Sequence, residues 1–62
     1  MQFNVPTMDS SEAANKLKET ILTSEPNAKV EVDLDLKTVT INSEASEETF
    51  KELIVATGHK IN

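Results

Sequence analysis

Residues 29 to 34, Lys29-Val30-Glu31-Val32-Asp33-Leu34, alternate strictly between charged and apolar side chains, and after three residues Thr38-Val39-Thr40-Ile41-Asn42 alternates again. A period of two marks a strand with one face buried, so Val30, Val32 and Leu34 share one side of a sheet and the three charges share the other. Only Asp35-Leu36-Lys37 separates the two runs, which is short enough to return the chain as an antiparallel hairpin. The β-branched residues of the second run suit that role, with Val39 and Ile41 facing the core. A lone hairpin is marginal in water. The rest of the chain must therefore cover its apolar face.

On both sides of the hairpin the pattern changes to a helical one. Asp9-Ser10-Ser11-Glu12 offers a capping residue with a carboxylate three positions later, and Ala14, Leu17 and Ile21 follow at helical spacing until Pro26 forbids continuation. Ser46 is a suitable cap for a second helix: Glu47 and Glu48 favour the positive end of its dipole, and Ala45 can staple to Phe50. Phe50, Leu53, Ile54 and Thr57 form its apolar stripe, and Gly58 can close it in the left-handed conformation. Two short runs remain. Gln2-Phe3-Asn4-Val5 reads as a strand stopped by Pro6, and Lys60-Ile61-Asn62 as a last strand with Ile61 inward.

The predicted order is βαββαβ, and right-handed crossovers put both helices on the same side. The expectation is one α+β domain over residues 1–62, a ferredoxin-like sandwich of a four-stranded antiparallel sheet with two helices on one face. The other face would present Asn4, Glu31, Asp33, Thr38, Thr40 and Lys60 to water.

Composition narrows the function. The net charge is −5, with six Lys, no Arg, and Phe3 and Phe50 as the only aromatic residues. Nucleic acid is not expected as a partner, because its phosphates want cationic side chains and its bases want exposed aromatics. No apolar run approaches the ~20 residues that span a bilayer, so no membrane insertion and a cytoplasmic location are expected. The chain has no cysteine, which rules out disulfides and thiolate chemistry. One histidine, His59, does not make a nucleophile, base and orienter set, and the paired acids read as a helix start and a solvated strand face. The chain is therefore not expected to be an enzyme.

The segment Val5-Pro6-Thr7-Met8-Asp9-Ser10-Ser11-Glu12-Ala13-Ala14, taken with Gly58-His59, carries a more specific signal. It resembles the heavy-metal-associated domain family, the βαββαβ module of small bacterial copper chaperones and of the N-terminal domains of metal-transporting P-type ATPases. That family carries Met-x-Cys-x-x-Cys at the loop-to-helix junction, where this chain has Met8-Asp9-Ser10-Ser11-Glu12-Ala13. The frame is kept and both cysteines are missing, whether by natural loss or by replacement. The resemblance covers essentially the whole chain and extends to the Val5-Pro6-Thr7 approach and the His of Gly58-His59.

Position by position, the resemblance places Ser10 at the first ligand position, Ala13 at the second and His59 at an auxiliary one. Residues three apart at a helix start bring their Cβ atoms about 5–6 Å apart, which lets two sulfurs share one soft ion. Thiolates select Cu(I). Ser10 offers a hard, protonated hydroxyl and Ala13 offers no donor, so neither is expected to ligate, and His59 is the one ligand left at the metal site. No cofactor is expected as written, whereas the family carries Cu(I). What the resemblance implies is a copper-chaperone-like domain with a degenerate or mutated site, in a family that delivers Cu(I) to metal-transporting ATPases. Its implied partner is a protein, such as an ATPase domain of this kind. Two alternatives stand beside it: a metal-independent docking module, and weak metal binding through His59. Without the family, Ser10 reads as a cap, Ala13 as a helix former, Met8 as core packing and His59 as a solvated loop residue.

Overall fold

A computed structural model describes residues 1–62. Five elements form: β1 (Gln2–Asn4), α1 (Ser11–Ser24), β2 (Lys29–Asp33), β3 (Thr38–Asn42) and α2 (Glu47–Ala56). β3 lies between β1 and β2, antiparallel to both, so the sheet order is β1-β3-β2. Backbone hydrogen bonds from Ile41 N–H to Met1 O and from Val5 N–H to Lys37 O, both 2.8 Å, carry the β1–β3 pairing past the strand ends.

The register shows why the alternation reads as it does. Phe3, Val39 and Val32 lie in one row across the three strands, with Val30 opposite Ile41 beside it. These side chains form one cluster with Ala14, Leu17 and Ile21 of α1 and Phe50 and Ile54 of α2. Gln2, Thr40 and Glu31 form the matching polar row, and Asn4, Thr38 and Asp33 another. A shift of one residue in any strand would exchange the two sets.

The sheet has three strands, not the expected four. Residues 60–62 make one backbone bond to β1, from Asn62 N–H to Asn4 O at 3.0 Å, and Ile61 packs half-buried against the core. Pro6 removes one rung of the ladder. An antiparallel register that sets Asn62 against Asn4 sets Lys60 against Pro6, which has no N–H to exchange. The Lys60 N–H goes instead to the Thr7 hydroxyl at 3.0 Å.

There are smaller departures. Thr38, expected on the watery face, is buried at 9% exposure, whereas Thr40, also paired on both sides of the central strand, is exposed. Val32, Leu53 and Ile61 are half-buried, and Thr57 is exposed rather than part of the buried stripe. β2 stops at Asp33, one residue before Leu34, where the Asp33 carboxylate accepts the Leu36 N–H at 3.1 Å and opens the turn.

Helix α2 begins as read, with the Ser46 hydroxyl accepting the Thr49 N–H at 3.3 Å and Ala45 packed against the core. It closes at Gly58, whose φ of 93° lies in the left-handed region. A Cβ at this position would meet no atom within 4 Å, so only the backbone resists a side chain there. Gly58→Ala is expected to cost about 1–2 kcal/mol, read as a lower urea midpoint.

Candidate functional site

Pro6 ends β1, and the chain turns back with the Met8 N–H on Val5 O at 3.0 Å. The Met8 side chain is fully buried, so its thioether packs beneath the loop instead of facing outward. From the other side Lys37 holds this loop, its ammonium donating to Met8 O at 3.0 Å. Lys37 does so from a φ of 54°, a conformation uncommon outside glycine, at the end of a hairpin turn that contains no glycine.

Ser10 is the N-cap of α1. Its backbone is extended, at φ −152° and ψ 159°, and its hydroxyl accepts the Ala13 N–H at 3.1 Å while its carbonyl accepts the Ala14 N–H at 3.0 Å. The expected pairing of an Asp9 cap with Glu12 does not form, because Ser10 rather than Asp9 takes the cap. Position N3 is then Ala13, which has no side chain to reach back. An N-cap of this kind stabilises a helix by about 1 kcal/mol.

Across from this junction, the left-handed Gly58 turns the chain so that His59 meets Thr7, with Thr7 Oγ1 and His59 Nδ1 2.8 Å apart. Ser10, Ala13 and His59 line one open groove of about 420 Å³, together with Glu12, Lys16 and Thr57. Two segments 46 positions apart in the sequence thus share one end of the fold.

The donor set in this groove is poor for a soft ion. It holds one imidazole, the Glu12 carboxylate and several hydroxyls but no sulfur, and the Ser10 hydroxyl already accepts the Ala13 N–H. No three His, Cys, Asp or Glu side chains converge anywhere in the chain. Sequence reasoning missed Thr7 and Lys37. Thr7 carried a weak signal in its place beside Pro6, and Lys37 carried none, since only the folded hairpin brings it to Met8.

A three-stranded antiparallel sheet under two helices, with a loop-to-helix junction facing the final loop across a groove, defines a small ferredoxin-like α+β module. The chain belongs to the heavy-metal-associated domain family, which matches residues 2–60. Among solved structures, the copper chaperone Atx1 from Synechocystis PCC6803 is 31% identical, with a TM-score of 0.95 over 100% of this chain and 98% of the other. A structure described under crosstalk between Cu(I) and Zn(II) homeostasis is 35% identical, with a TM-score of 0.94 over the same shares. A gold-binding protein is 28% identical, with a TM-score of 0.92, again over 100% and 98%. No curated protein matches the chain. The absence of cysteine sets this chain apart from the Met-x-Cys-x-x-Cys pattern of its family. No helix is long and apolar enough to cross a membrane.

Proposed function

We propose that this chain is a copper-chaperone-like docking domain whose metal site is degenerate, so that it engages a protein partner through the family's loop end without carrying Cu(I) itself. The observation that supports this most directly is the 3.1 Å bond between the Ser10 hydroxyl and the Ala13 N–H. The two positions that would hold a soft ion in the family are joined here as a helix cap. A hydroxyl is too hard a donor for Cu(I) and Ala13 supplies none, so His59 is left alone.

The fold and the loop end remain available for recognition. The partner in this proposal is a heavy-metal-associated domain of a metal-transporting P-type ATPase, met in the cytoplasm and steered by charge complementary to a chain of net charge −5. A catalytic role is not part of the proposal. Thr7 and His59 stand at a nucleophile-to-base distance, but the same hydroxyl holds the Lys60 N–H and no side chain orients the ring from its other nitrogen.

Competition of the chain against a Cu(I) chelator tests the proposal. The chelator is expected to keep the metal, with no saturable transfer to the protein. Retention of one Cu(I) per chain would overturn the degenerate-site reading. If that retention vanished in His59→Ala, binding through His59 would take its place.

A further inference from the structure

The Thr7 hydroxyl sits between two partners whose roles differ. A backbone N–H can only donate, so Thr7 Oγ1 accepts from Lys60 at 3.0 Å. Its one proton then has a single acceptor nearby in the chain, His59 Nδ1 at 2.8 Å. A hydroxyl that accepts one bond is polarised to donate the next, so the chain Lys60 N–H to Thr7 O–H to His59 Nδ1 is cooperative. The opposite arrangement would have the hydroxyl accept twice and leave its own proton without a partner in the protein.

We infer that Thr7 is a positioning residue that holds His59 in the tautomer protonated on Nε2, so that the imidazole offers an N–H donor to a hydrogen-bond acceptor on a docking partner. The inference rests on the docking reading for its use, and on the Thr7 hydrogen bonds alone for its chemistry. A histidine that lines the groove of Ser10 and Ala13 would otherwise present either nitrogen. With Nδ1 engaged, Nε2 is the ring nitrogen without a hydrogen bond inside the chain. The matching feature on a partner is a carboxylate or carbonyl oxygen, and a second N–H there would be rejected.

Long-range proton–nitrogen NMR of the His59 ring, at alkaline pH where imidazole is neutral, tests this on the free chain. The expected result is an unprotonated Nδ1 and a protonated Nε2 in the chain as written. Thr7→Val should move both nitrogens toward tautomer exchange, and Thr7→Ser should restore the original pattern. The backbone amide spectrum checks that each variant is folded, and the Lys60 amide reports its own lost acceptor separately. A protonated Nδ1 in the unaltered chain would overturn the inference, as would a ring signature that is the same in Thr7→Val. Because no partner or metal is present, this outcome is independent of the Cu(I) competition that tests the docking reading.

Discussion

The double substitution Ser10→Cys with Ala13→Cys is expected to convert a chain without a Cu(I) site into one that binds a single Cu(I) against a competing chelator. The frame is already built. Position 10 is the cap and position 13 the third helical residue, and the side chain at 10 already leans over 13, as the Ser10–Ala13 bond shows. Two sulfurs on this frame would lie close enough to share one soft ion, and the positive end of α1 favours the thiolate form.

The cost is modest. Losing the Ser10 cap takes about 1 kcal/mol, and Ala13 is only half-buried, so a larger side chain there has somewhere to go. Bound metal offsets that loss: at a thousandfold excess over Kd it stabilises the folded state by about 4 kcal/mol. In a domain of this size that is a rise in Tm on the order of 20 °C. Adding His59→Ala should weaken the site without abolishing it. If the double variant keeps a native circular dichroism spectrum and still loses every Cu(I) to the chelator, Ser10 and Ala13 do not occupy the family's ligand positions.

What the sequence made legible was whatever depends on period and on local chemistry. The alternation at 29–34 and 38–42 located the hairpin and assigned its faces, since a strand's period of two leaves one consistent choice. Pro26 and Gly58 set helix ends for reasons that need no tertiary context. The motif frame around Ser10 and Ala13 identified the family in a chain without cysteine, because the loop and helix signals there do not depend on sulfur.

What was not legible depends on pairing between distant residues. The fourth strand is reduced to one backbone bond, and the position opposite Lys60 is Pro6, which has no N–H to give, a pairing seen only once Asn62 is set against Asn4. Thr38 is buried although the alternation puts it on the same face as the exposed Thr40. The Ser10 cap was legible from its residue type, but the Asp9–Glu12 pairing offered beside it does not form, and local sequence alone does not choose between the two. Thr7 and Lys37 act across 52 and 29 positions of sequence, and no spacing rule links them to His59 and Met8.

Phe50→Ala is expected to remove most of the domain's stability. Phe50 has no exposed surface, is the largest of the fully buried side chains, and belongs to the one core cluster that holds the apolar residues of the sheet and of α1. Truncating a buried Phe costs about 3–5 kcal/mol, part lost transfer energy and part residual cavity. A chain of this length has roughly 3–9 kcal/mol in all. The matched comparison is Val32→Ala. Val32 lies in the same apolar row but on the edge strand and is only half-buried, so its truncation should cost about 1 kcal/mol. With a urea slope of about 1 kcal/mol per molar for so small a protein, Phe50→Ala should lower the midpoint by about 3 M or leave the chain unfolded in buffer. Val32→Ala should lower it by about 1 M. The assignment of Phe50 to the centre of the core fails if the two midpoints shift equally, because equal shifts would mean that the depth of burial which separates the two residues has no energetic weight.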